Sequence, residues 1–145
     1  MNHSFSDMLV LLKQLIAIPS ITREEHKVSA ILKADMIRHG YIPKEIGLNL
    51  LLYGHSYDPA KPTLLLNSHM DTVKPVAGWT KDPFTPTEEN GRLYGLGSND
   101  DGAGLVSLLY TFYILDSKSQ PYNPLFLATV EEEVNGAEGM KKVVA

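Results

Sequence analysis

The segment Leu64-Leu65-Leu66-Asn67-Ser68-His69-Met70-Asp71 constrains the fold most, because an apolar run suited to a buried strand ends in an imidazole and a carboxylate two positions apart. In an extended chain residues i and i+2 project from the same face, so both side chains stand together at the mouth of a sheet. A neutral imidazole can coordinate a metal through one ring nitrogen while the other donates to a carboxylate that fixes its tautomer and orientation. On that reading His69 is a ligand and Asp71 its orienter. The pair by itself equally describes a surface histidine beside an aspartate, and two further acidic clusters weigh against that.

The first is Tyr94-Gly95-Leu96-Gly97-Ser98-Asn99-Asp100-Asp101-Gly102-Ala103-Gly104, leading into the apolar stretch Leu105 to Leu115. That stretch reads as a buried helix whose first turn begins near Asp101. One aspartate there could cap the helix, satisfying orphan amides at the positive end of the dipole. Capping explains one aspartate and not two. The closely spaced glycines imply close backbone approach or conformations closed to other residues. GLGSND is not a dinucleotide fingerprint, since it lacks the third glycine, and adjacent carboxylates would repel a phosphate.

The second cluster follows another apolar strand, Leu125 to Val130, and consists of Glu131, Glu132 and Glu133. A glutamate run alone suits a solvated helix face. Placed after an apolar strand in an alternating strand and helix pattern, it instead joins the other two at the carboxyl edge of one sheet, where open α/β folds bind ligands. Convergent carboxylates drive one another towards the neutral form unless a cation compensates. Imidazole and carboxylate donors suit zinc, and also manganese or cobalt. A carboxylate can bridge two ions roughly 3.5–4 Å apart, and such ions acidify bound water near neutral pH, leaving an adjacent glutamate free to act as general base.

These motifs carry a resemblance. Ile18-Pro19-Ser20, NSHMDTVKP, GRLYGLGSNDDGAG and LATVEEEVNGAEG together make the chain resemble the amino-terminal part of the acetylornithine deacetylase, succinyl-diaminopimelate desuccinylase and carboxypeptidase G family of dinuclear zinc hydrolases. It looks most like the acetylornithine deacetylase branch. The resemblance implies that His69, Asp100 and Glu133 bind metal, with Asp100 bridging, that Asp71 orients His69, and that Glu132 is the general base. A register slip of one would give the roles of Glu132 and Glu133 to Glu131 and Glu132. The Asp100-Asp101 peptide is expected to be cis.

The implied fold is α/β, a three-layer α/β/α zinc-peptidase-like catalytic domain with a mixed sheet, incomplete in this chain. Residues 1–145 are expected to form its amino-terminal part, because the family needs a further acidic ligand, a late histidine and a lid and dimerisation domain, for which too little chain follows Glu133. His3, His26, His39 and His55 are expected to be solvated surface rather than substitute ligands. The implied activity of the full-length protein is removal of an acyl group from an N-acyl amino acid such as acetylornithine, by a homodimer with two Zn2+ per subunit, this piece alone being inactive. An aminopeptidase or dipeptidase of the same family is the alternative enzyme, and a non-catalytic fragment the alternative of another class.

Composition narrows the class further. With 145 residues and 43% apolar content the chain can build one core but not two domains. No apolar run is long enough for a membrane span and no secretory leader is visible, so a cytoplasmic protein is expected. Absence of cysteine excludes disulfide scaffolds and thiolate zinc sites. A net charge of −4, with Lys and Arg scattered, gives no footprint for nucleic acid.

Helical spacing from Met8 to Ile18, stopped by Pro19, predicts a first helix. Thr22 with Glu25 reads as a capping box opening a second, with Gly40 as its exit. Strands are expected near Ile42 to Ile46, Leu48 to Tyr53 and Thr63 to Asn67, the last preceded by a Pro-rich turn. A polar loop is expected from Val76 to Asn90, with Trp79 packed beneath it or, as the alternative, lining a cleft, packing being preferred.

Overall fold

A computed structural model describes residues 4–145. Helix α1 (Phe5–Ile16) opens on a true capping box, in which Ser4 and Asp7 exchange side-chain and backbone hydrogen bonds. Helix α2 (His26–Arg38) ends at Gly40, whose φ of +91° suits a residue without a side chain. Its start differs from the expected capping box: Glu25 is the N-cap but its side chain makes no capping bond. Strands β1 (Lys44–Ile46) and β2 (Asn49–Tyr53) form an antiparallel hairpin, followed by β3 (Thr63–His69). Helix α3 (Gly102–Asp116) and strand β6 (Asn123–Thr129) come later. A single 3-10 turn, Glu132–Val134, and helix α4 (Met140–Val144) follow β6.

The main sheet has the order β1-β2-β6-β3. Strand β6 runs antiparallel to β2 and parallel to β3, with His69 opposite Thr129 at the end of the parallel ladder. The sheet is therefore mixed, and the fold is α/β as expected. Parallel pairing is what brings both acidic strand ends to one rim.

The core forms where α1, α2 and α3 cover one sheet face. Leu11, Leu32, Met36, Leu105, Leu109, Phe112, Leu50, Leu52 and Phe126 are buried there together. Alternation along β2 and β6 sends Leu50, Leu52, Phe126 and Ala128 to that face. Helix α3 is apolar nearly all round because α1 lies over it and the sheet under it. On the opposite face the stretch from Asn135 to Lys141 lies near Asn67 and Thr129, and Leu65, at the outer strand, stays 46% exposed.

Three further expectations are corrected. The polar loop does not run unbroken to Asn90: Thr87–Glu89 (β4) and Arg92–Tyr94 (β5) pair across Asn90-Gly91, both at positive φ. That dipeptide is a hairpin signal, since its two residues reach the left-handed conformations a tight turn needs. Trp79 is 40% exposed and lines an open hollow with Val76, Lys81 and Tyr94 instead of packing beneath the loop. His39 is not solvated: its side chain is 4% exposed, Nδ1 lies 2.9 Å from the Asp35 carbonyl, and its ring stacks on Tyr113 at 4.4 Å. Helical periodicity places residue 39 past the end of α2, where only tertiary packing decides exposure. His26 is exposed, His55 is largely exposed while pairing with Asp116 at 2.6 Å, and His3 lies outside the described residues.

Candidate metal centre

His69 stands at the last ladder position of β3, and the chain turns beneath it so that its Nδ1 comes 2.9 Å from the Asp71 main-chain oxygen. A carbonyl only accepts, so Nδ1 carries the proton and Nε2 points to the rim. The Asp71 carboxylate lies somewhat further from Nδ1, at 3.5 Å. Asp71 therefore faces Nδ1 with both its main-chain oxygen and, further off, its carboxylate, where the sequence pointed to the carboxylate alone.

The Asp71 side chain, in a residue only 1% exposed, is a hub. It accepts the Thr22 hydroxyl at 2.9 Å, the Glu132 amide at 3.0 Å and the Glu133 amide at 3.2 Å. Burial alone would raise its pKa, but His69 and these three donors hold the carboxyl below its usual value. His69 is pushed up to about 9, chiefly by its hydrogen bonding to Asp71 against the opposing effect of burial, with the Glu132 charge adding to it.

Asp100 and Asp101 take different roles. Their shared peptide is cis, as expected. Asp100 is exposed and reaches within 3.3 Å of His69 Nε2. The Asp101 carboxylate accepts the Ser68 hydroxyl, and its backbone oxygen receives the Leu105 amide at 2.7 Å. Neither side chain caps α3. Gly97, at φ +73°, allows the preceding loop to press on Thr72, where a Cβ would stand 2.7 Å from the methyl group.

The glutamate triplet turns sharply after β6, with Glu131 in the left-handed region at φ 54°. Glu131 is buried, pairs with Arg23 at 3.4 Å, and accepts the Glu138 amide at 3.3 Å. Glu132 is exposed, with one oxygen 3.8 Å from His69 Nε2. Glu133 is half-buried; burial and the Asp100 charge raise its pKa. Of the register alternatives, the geometry turns Glu131 away towards Arg23 and leaves Glu132 and Glu133 at the rim.

Among the described residues, His69, Asp100 and Glu133 each offer one donor atom, all within 4.8 Å of one another. These donors fit a divalent cation: one imidazole nitrogen with its tautomer fixed, two carboxylates, and no thiolate. A cation would also offset the repulsion that raises Glu133. Sequence reasoning brought these three, Asp71 and Glu132 to one rim. It missed Thr22, Glu25 and Ser68, which reach the site through side-chain contacts across the fold.

An α/β sheet with an imidazole and carboxylate cluster at its carboxyl rim has the donor set and placement of a metal-binding site. Residues 65–145 match Peptidase family M20/M25/M40, and the chain belongs to that family. It is 32% identical over 148 residues to a succinyl-diaminopimelate desuccinylase of Coxiella burnetii, an alignment covering 96% of this chain and 38% of that protein. A desuccinylase of Xylella fastidiosa is 28% identical over 144 residues, with 95% and 38% covered. The chain thus spans little more than a third of these curated relatives. Among solved structures, an M20 family metallo-carboxypeptidase from Sulfolobus solfataricus superposes with a TM-score of 0.74 at 26% identity, covering 88% of this chain and 31% of that one. Human carnosine dipeptidase 1 superposes at 0.73 with 24% identity, covering 96% and 34%, and shows the shared fold.

Proposed function

We propose that the full-length protein is a metal-dependent amide hydrolase that removes an acyl group from an N-acyl amino acid, with this chain as the amino-terminal part of its catalytic domain. The convergence of His69, Asp100 and Glu133, with Glu132 standing beside them, carries this reading. His69, Asp100 and Glu133 would hold metal, Zn2+ by preference with Co2+ or Mn2+ as substitutes, and the full-length subunit would take two ions. Such a metal supplies Lewis-acid polarisation and a water of lowered pKa.

The residues themselves do the rest. Asp71 keeps the proton of His69 on Nδ1, leaving Nε2 for the cation. Glu132 accepts a proton from the attacking water on a carboxylate oxygen and delivers it to the leaving amine nitrogen. Its exposure keeps it reachable by water, and the bond from its amide to Asp71 fixes where its side chain begins.

The desuccinylase relatives support an acylated diamino acid as substrate, with acetylornithine and succinyl-diaminopimelate the two members to test. A dipeptidase or aminopeptidase activity is the second reading; the likeness to the Sulfolobus metallo-carboxypeptidase supports peptide-bond hydrolysis as a class and neither of those two specificities. A cytoplasmic homodimer completes the proposal. Turnover of acetylornithine, succinyl-diaminopimelate and free dipeptides by full-length protein separates these readings. Glu132→Gln is expected to lower turnover by about 10²-fold or more with metal content unchanged; retained activity refutes the base assignment.

A further inference from the structure

Ser20 to Glu25 is a short connection between two helices, yet its side chains reach both halves of the site. Its backbone docks on the chain just after β3: the Thr72 amide donates to the Ser20 carbonyl at 2.9 Å and the Thr22 amide to the Thr72 carbonyl at 3.2 Å. Thr22 then gives its hydroxyl to Asp71 Oδ2, 49 positions along the chain. Glu25, 1% exposed, accepts the Glu131 amide at 3.2 Å across 106 positions. Arg23, held in the left-handed region at φ 78°, turns towards the Glu131 carboxylate.

These bonds occur where regular structure has run out. The ladder between β3 and β6 closes with the Met70 amide on the Thr129 carbonyl, and beyond it no strand pairing fixes residue 71 against residues 131–133. Instead the three consecutive amides of the triplet each meet a buried carboxylate: Glu131 meets Glu25, and Glu132 and Glu133 meet the two oxygens of Asp71. Glu25 makes no helix-capping bond with its side chain. Groups chemically suited to start a helix are used to hold the acidic loop.

We propose that Thr22 and Glu25 are positioning residues that keep the His69 strand end and the Glu131–Glu133 loop in register for metal binding. The inference rests on the metal-site reading given above. Thr22 fixes the Asp71 carboxylate, which fixes the Glu132 and Glu133 amides; Glu25 fixes the first amide of the same loop. Neither is among the three candidate ligands, so both act through other residues.

The test uses full-length protein stripped by chelation and titrated with Co2+, read as a dissociation constant and as the ligand-field absorption bands of the loaded protein. Thr22→Val, which keeps the shape and removes the donor, is expected to weaken Co2+ binding by about 10-fold or more and to change the bands. Thr22→Ser is expected to restore both. Glu25→Ala is expected to weaken binding similarly, whereas Glu25→Gln, which keeps an acceptor oxygen, retains it. Wild-type affinity and bands in Thr22→Val and Glu25→Ala overturn the proposal; so does weakening without rescue by Thr22→Ser and Glu25→Gln. If Thr22→Val does not fold, the Glu25 pair decides. A wild-type protein that binds no Co2+ overturns the metal-site reading itself, and this inference with it.

Discussion

Replacing Asp71 by alanine removes the acceptor for three donors at once and leaves the His69 ring without its charged neighbour. The Thr22 hydroxyl and the Glu132 and Glu133 amides lose bonds of 2.9, 3.0 and 3.2 Å. Part-buried donors left unmatched cost up to about 1–3 kcal/mol each, partly offset because a carboxylate no longer has to be desolvated, so a net loss of about 3 kcal/mol is expected. Linkage sets a ceiling of similar size: raising His69 from 6.5 to about 9 corresponds to at most about 3 kcal/mol, reduced by solvent screening and by the main-chain bond and the Glu132 charge that alanine leaves in place. Both figures describe largely the same interaction and are not added. The His69 part is fully present below pH 6.5 and is lost as pH rises through about 9. Asp71 is depressed, so its part is present above its unfolded value of 3.8 and is lost as pH falls through its lower folded value. The difference between wild type and Asp71→Ala is therefore largest between about pH 4 and 6.5, shrinks as pH rises from 6.5 towards 9, and has lost its His69 part above that. Urea unfolding of the metal-free protein measures it: with a slope of about 2 kcal/mol per M, the midpoint falls by about 1.5 M at pH 6. A midpoint unchanged at pH 6, or a difference that grows above pH 9, refutes the hub role of Asp71.

Metal binding displaces a proton from His69, so Zn2+ affinity is expected to rise about tenfold per pH unit from 6.5 towards 9 and then flatten; calorimetric titration with a flat profile contradicts this. Asp100→Ala and Glu133→Ala are each expected to lower the metal content of full-length protein measured by mass spectrometry, and an unchanged stoichiometry removes the residue from the ligand set. His39→Ala is expected to cost about 2 kcal/mol, because a buried, stacked ring is deleted, whereas His26→Ala stays within about 0.5 kcal/mol; equal thermal shifts for both contradict the burial of His39.

Much of the architecture was legible because periodicity reports it directly. The apolar runs at Leu64 to Leu66 and Leu125 to Val130 became adjacent parallel strands, and Leu105 to Leu115 the helix between them. Asn90-Gly91 also carried a local hairpin signal, obscured by the polar residues on either side. Thr22 and Glu25 show the opposite case. Their spacing is that of a capping box, and Ser4 with Asp7 shows one formed in this same chain. A hydroxyl and a carboxylate accept or donate equally well locally or at long range, so spacing alone cannot say which partner prevails. His39 was misjudged for a related reason: its surroundings come from Tyr110 and Tyr113, far along the chain.

By itself the sequence determined which residues end each strand and which donor types collect at the sheet's rim, because side-chain alternation and strand ends are local properties of the chain. Only the tertiary structure decided that His69 Nδ1 faces a carbonyl, that Glu131 turns inward while Glu132 and Glu133 stay at the rim, and that Thr22 and Glu25 bond across the site. The Thr22 and Glu25 bonds join segments 49 and 106 positions apart, a distance that no local pattern encodes.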